Sequence, residues 1–241
     1  MSGHSKWNNI KHKKEKSDAA KAKIFTKIGK EMAVAIKAGG PDPNTNSKLR
    51  DLIAKAKANN VPNENIQRTI KKFTENSNID FEEITYEGYG PSGVAVIVEA
   101  STDNRNRTAG NVRAWFSKYG GNLGQNGCVG YLFEEKGVIS ILDEDEEIEE
   151  DKIMEDALEC GAEDIKCDEG EYTIYTASEE LDAVRDAILA LGYKIETADL
   201  AKVPSTYIEL TSEEDIENME KMLDKFNEDD DVTAVFTNWD N

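Results

Sequence analysis

The chain is poor in the residues on which most enzymes and secreted proteins rely. It holds two histidines, His4 and His12, both within a basic N-terminal stretch that reads as a flexible arm. A Ser-His-Asp or Cys-His arrangement would need one of them held rigidly, which such a tail does not provide. Cys128, Cys160 and Cys167 are odd in number and form no Cys-x-x-Cys pair. A disulfide framework is therefore disfavoured and a reduced interior is expected. No stretch of about 18 apolar residues exists, so no membrane helix is expected. The N-terminus lacks an apolar h-region, and Glu15, Asp18 and Glu31 interrupt the positive charge that a transit peptide carries. Neither Gly88–Gly93 nor Gly120–Gly127 continues into the Gly-Lys-Ser/Thr of a phosphate-binding loop, and both are expected to be packed turns. Together these absences predict a cytoplasmic, non-enzymatic protein with no catalytic residues, no metal site, no cofactor, no required small molecule and no membrane partner.

What is present is charge, unevenly spread. The net charge is −20. Residues 1–80 hold 17 Lys and Arg against 8 Asp and Glu, while residues 81–241 hold 12 against 41. A basic end on an acidic body points to a polyanion-facing terminus.

The pattern along the chain predicts an α+β fold in three domains. A helix capped by Ser17 or Asp18 runs to Gly39-Gly40-Pro41, with Ile24, Phe25, Ile28, Met32, Ala35 and Ile36 on one face. Lys16, Lys23, Lys27, Lys30 and Lys37 fall on the opposite face, with Val34 as the flaw. Helices at about 46–59 and after Val61-Pro62 complete a small helical domain over 1–80. Beyond it, Val94–Ala100 reads as a buried strand and 103–119 as a helix, followed by strands at about 128–134 and 137–142. Residues 137–200 spell β-α-β-β-α-β, a complete ferredoxin-like unit. The β-α-β segments on either side, including strands at 205–210 and 231–237, spell the same order. The expectation is a discontinuous ferredoxin-like domain, 81–135 with 203–241, carrying a second acidic one at 136–202. A single mixed sheet is the alternative.

The sharpest functional feature is the first 37 residues, with ten lysines and three acids. Such a surface attracts phosphate backbones through counterion release and needs no base-specific geometry. Lysine is a poorer bidentate base reader than arginine, so backbone or shape recognition is expected. The candidate contacts are Lys6, Lys11, Lys13, Lys14, Lys16, Lys23, Lys27 and Lys30, with Trp7 placed to stack on an unpaired base. Arg105, Arg107 and Arg113, near the start of the 103–119 helix, form a weaker cluster that internal salt bridges would equally explain. The acidic run 143–151 reads as a solvated loop entering a helix N-terminus.

Met1-Ser2-Gly3-His4-Ser5-Lys6-Trp7-Asn8-Asn9-Ile10-Lys11-His12-Lys13-Lys14 closely resembles the opening of the YebC family. The likeness continues through Asp18–Phe25, Gly39–Asn44, Val61–Ile66, Tyr86–Pro91 and Gly120–Gly124. Asn63-Glu64 departs from a common Lys-Asp pair. The resemblance implies one helical and two ferredoxin-like domains, and a role in gene expression. Members are described as cytoplasmic transcriptional regulators that bind promoter DNA. Others look like ribosome-associated translation factors that bind ribosomal RNA and relieve stalling on proline-rich sequences. A small-molecule-sensing or enzymatic module in the ferredoxin-like pair is the contender from another class.

Overall fold

Three helices open the computed structural model, which describes residues 18–75, 81–143, 148–168 and 170–240. Helix α1 (Asp18–Gly39) buries Ile28, Met32, Ala35 and Ile36, one stripe at spacings of three and four. They pack against Leu49, Leu52 and Ala56 of α2 (Ser47–Ala58) and Ile66 of α3 (Asn63–Glu75). Asn46 fixes the corner. Its Oδ1 accepts from the Leu49 N–H at 3.1 Å, capping α2, while its Nδ2 donates to the carbonyls of Ala35 and Gly40, both at 2.8 Å. A Cβ on Gly39 would lie 2.9 Å from that amide, which explains the glycine there.

The mixed α+β remainder holds two four-stranded antiparallel sheets. The first collects β1 (Glu82–Tyr89), β2 (Ala95–Thr102), β3 (Asn122–Leu123) and β9 (Val232–Thr237) in the order β3-β1-β2-β9. Helices α4 (Arg105–Lys118) and α7 (Glu213–Glu228) pack on it, with Phe116, Met219, Met222 and Phe226 fully buried. This is the strand order of a ferredoxin-like unit, but the strand in its third position is β1, supplied from before β2. The strand expected at 128–134 is corrected: 130–132 is a short 3₁₀ turn, and strand begins at Phe133. That expected at 205–210 shrinks to β8 (Ile208–Glu209), which pairs in parallel with β10 (Trp239–Asp240).

The second sheet takes β4 (Phe133–Leu142), β5 (Asp164–Asp168), β6 (Glu171–Ala177) and β7 (Ile195–Pro204) in the order β5-β6-β4-β7. With α5 (Glu150–Glu159) and α6 (Leu181–Ala190) it reads βαββαβ in sequence order. Its core is Ile139, Ile141, Ile153, Ala157, Ile174, Val184 and Ile188. Of the acidic run, 144–147 lie outside the described residues, and Asp143 accepts from the Ile148 N–H at 2.8 Å just before α5.

By compactness the described residues of 18–130 with 210–237 make one unit, and those of 131–209 with 238–240 the other. The helical bundle therefore shares a unit with the first sheet, because α1 lies against β2 and β9.

Replacing Asn46 with Ala removes a helix cap and leaves two carbonyls without their donor. It should lower unfolding stability by about 2 kcal/mol in urea titrations. A change below about 0.5 kcal/mol, the level of ordinary surface substitutions, would contradict the role given to this side chain.

Candidate nucleic-acid interface

The lysine row of α1 does not face solvent as a free strip. At spacings of four and three, Lys23, Lys27 and Lys30 share a face; the first two reach the last residues of α7 and the third reaches the loop just beyond it. Lys23 Nζ donates to the Glu228 carbonyl at 3.2 Å, Lys27 Nζ to the Asn227 carbonyl at 3.0 Å, and Lys30 Nζ to the Asp230 carbonyl at 2.9 Å. The last carbonyls of a helix lack intrahelical donors and sit at the negative end of its dipole. Two ammonium groups on those carbonyls, with a third on the loop just beyond, fasten α1 to the end of α7. Lys23, Lys27 and Lys30, expected as phosphate contacts, thus each have a partner within the protein, and Lys23 keeps exposed surface.

Asp231 anchors the contact. It is 4% exposed. Its Oδ1 accepts from Lys30 Nζ at 2.6 Å. Its Oδ2 accepts from Arg107 Nη2 at 2.7 Å and Nε at 3.2 Å, from Thr108 Oγ1 at 2.9 Å and from Thr102 Oγ1 at 3.2 Å. Its own carbonyl accepts from the Ser101 N–H at 2.8 Å. One carboxylate thus ties α1, the end of β2, the first turn of α4 and the entry to β9. Burial alone would raise its pKa, but the hydrogen bonds from Lys30, Arg107 and Thr108 outweigh it and hold it at about 2.

This also settles where Arg107 points. It forks onto Asp231 and onto Asp103, 2.8 Å away, so its guanidinium is engaged within the protein. Arg105 is more open, 3.9 Å from Glu82 with 67% of its side chain exposed, and Arg113 is exposed. Lys6, Trp7, Lys11, Lys13, Lys14 and Lys16 lie outside the described residues.

Two residues central to this unit, Asp231 and Glu87, carried no sequence signal that singled them out. For Asp231 a cue existed: Asp229-Asp230-Asp231 follows a helix end, the natural partner for a lysine face. Glu87, on β1, accepts from the backbone N–H groups of Gly127, Val129 and Gly130 at 2.8, 2.9 and 2.7 Å. It pins the glycine-rich 120–130 segment, and Tyr89 adds a hydrogen bond from its hydroxyl to the Cys128 carbonyl at 3.0 Å. The two glycine-rich segments pair with each other as β1 and β3, and a Cβ on Gly121 would stand 2.4 Å from the Tyr89 carbonyl oxygen. Gly88, Gly121 and Gly124 allow close approach of neighbouring atoms, whereas Gly93, Gly120 and Gly127 take the positive φ of tight turns. Among the described residues no group of three or more His, Cys, Asp or Glu is placed to hold a metal ion. No described helix is long and apolar enough to cross a membrane.

The depressed pKa of Asp231 makes stability depend on pH. A carboxyl held at about 2 in the fold, against an ordinary 3.8, contributes about 2 kcal/mol at neutral pH. That contribution is complete above about pH 5 and is lost as pH falls through 4 toward 2. Asp231→Asn should therefore lower Tm at pH 7, with the gap to the parent closing by pH 2. Equal Tm values at pH 7 would contradict the anchoring role.

Comparison with known proteins agrees with this architecture. Residues 5–76 match the family model described as the TACO1/YebC protein N-terminal domain, and residues 81–239 match that of the TACO1/YebC second and third domain. A protein of Acetivibrio thermocellus named "Probable transcriptional regulatory protein" is 53% identical over 240 residues, 99% of each chain. One of Agathobacter rectalis with the same name is 53% identical over 241 residues, all of both chains. The crystal structure of a conserved hypothetical protein from Aquifex aeolicus is 45% identical and superposes with a TM-score of 0.83, covering 92% of this chain and 91% of that one. The relatives' names are regulatory rather than enzymatic. Matched along nearly its whole length, the chain belongs to the TACO1/YebC family.

Proposed function

We propose that this protein is a nucleic-acid-binding regulator of gene expression that meets its target through Lys6, Lys11, Lys13, Lys14 and Lys16, with Trp7 stacking on an unpaired base. The observation that carries this reading is the division of charge, a surplus of nine positive charges in residues 1–80 on a chain whose net is −20. A polyphosphate is drawn to the basic end, and the acidic remainder is repelled, which orients the encounter. Arg105, exposed at the head of α4, is a secondary contact. The Lys23, Lys27 and Lys30 row serves indirectly, by holding α1 in place. The curated relatives are named for transcriptional regulation, and promoter DNA is the target this reading assigns. A second reading, ribosomal RNA in a ribosome-associated translation factor, is favoured by one observation. The basic end is almost all lysine, which suits backbone and shape recognition better than base readout.

The test separates arm from helix. Changing Lys11, Lys13 and Lys14 to Glu should weaken binding more than tenfold. It should also flatten the dependence of log K on log salt by about 0.9 per lost contact on duplex DNA, or about 0.7 on a single strand. Changing Lys23, Lys27 and Lys30 to Glu should instead lower Tm by several degrees. An arm variant with unchanged affinity and salt slope would sink the proposal. Crosslinking in cells with sequencing of the bound strands distinguishes the targets, promoter fragments for the first reading and ribosomal RNA for the second.

A further inference from the structure

The anchor at Asp231 leaves an open groove beside it, of about 810 Å³. One wall is a single stripe of α4, with Arg107, Asn111, Trp115 and Lys118 at helical spacing. The facing wall carries Lys225, near the end of α7, and Asp230. Trp115 is half-buried, its ring set edge-on to Phe226 at 5.7 Å, which fixes its orientation. Lys118 is exposed, with its ammonium group 5.2 Å from the Tyr119 ring centre. Asn111 donates to Asp229 Oδ2 at 3.1 Å.

The charges of this groove argue about its ligand. Arg107 is committed to Asp231 and Asp103, and Lys225 to Glu228 at 2.6 Å, so most of the cations are offset locally. A run of phosphates would gain little there. A neutral, flat group that stacks on an indole and uses both donors and acceptors at its edge fits better, and an unstacked nucleobase is such a group. A pocket of this size lies in the range that holds small organic groups. We infer that the groove between α4 and the end of α7 receives one unstacked base of a single-stranded nucleic acid. The base stacks on Trp115, its edge meets Asn111 and Asp230, and Lys118 sits at the mouth to take the adjoining phosphate.

This inference rests on the nucleic-acid reading above, and the experiment keeps the two apart. The full chain is labelled with 5-fluorotryptophan, giving one fluorine signal for each of its three tryptophans, with that of Trp115 assigned from Trp115→Phe. It is titrated with an oligoadenylate of about ten nucleotides, and with the abasic ribose-phosphate strand of the same length, while anisotropy follows total binding. The expected result is a saturable shift of the Trp115 signal with oligoadenylate and none with the abasic strand. Lys118→Glu, at an exposed site, should raise the concentration for half-saturation of that shift at least fivefold with the fold unchanged by circular dichroism. Oligoadenylate that binds by anisotropy without moving the Trp115 signal overturns the groove and leaves the arm reading standing. An equal shift with the abasic strand, or no effect of Lys118→Glu, also overturns it. No binding of either strand by anisotropy removes both.

Discussion

A buried carboxylate surrounded by cations and hydroxyls is the constraint on which the larger unit depends. Desolvation of Asp231 is unfavourable by itself, and only the combined hydrogen bonds of Lys30, Arg107, Thr108 and Thr102 make it stable as an anion. Those partners come from α1 and from the consecutive β2 and α4, all far from Asp231 in the chain. Removing any one donor leaves a buried charge under-compensated, so the elements must arrive together. The lysine row reinforces this from the side, by placing ammonium groups on the last carbonyls of α7 and on the Asp230 carbonyl just beyond it. A face that in an isolated helix would be a solvated basic stripe becomes the seam joining a helical bundle to a sheet.

The charge division then takes on a structural sense. Basic residues of the first 80 divide three ways: Lys23, Lys27 and Lys30 reach carbonyls and an acid of the same unit, others such as Lys57, Arg68 and Lys71 lie exposed on α2 and α3, and five lysines fall within residues 1–16. The segment that builds the second sheet and its helices is richer in acids, and several of its cations are paired, as with Lys136 on Glu163 and Arg185 on Asp182 and Asp186. A polyanion approaching such a molecule is steered by what remains positive, and the fold decides which lysines those are. Membership of the TACO1/YebC family and the regulatory names of its relatives agree with a protein that works by binding.

Much of this architecture was legible in the sequence. The 3.6-residue recurrence of Ile28, Met32, Ala35 and Ile36 marked the bundle. The βαββαβ order of 137–200 marked the second sheet, because each element there is bounded by a clear turn or glycine. The first sheet was harder to read for a physical reason. Strand β1, Glu-Glu-Ile-Thr-Tyr-Glu-Gly-Tyr, has few aliphatic residues, and its buried positions include Glu87 and Gly88. Those residues answer to tertiary needs, a backbone clamp and a close approach to β3, that periodicity cannot express. The internal partners of the lysine face were illegible for a related reason. Amphipathicity tells which side of a helix avoids the apolar core, but a polar side can still be buried against charges and carbonyls supplied from 200 residues away.

In the proposed division of labour, the α1 lysines hold the fold while lysines of residues 1–16 hold the nucleic acid. The most direct measurement is photocrosslinking of the intact protein to a bound strand, with adducts mapped to single residues by mass spectrometry. Adducts are expected within residues 1–16 and none on Lys27 or Lys30. Adducts concentrated on Lys27 and Lys30, with the arm unmodified, would contradict it.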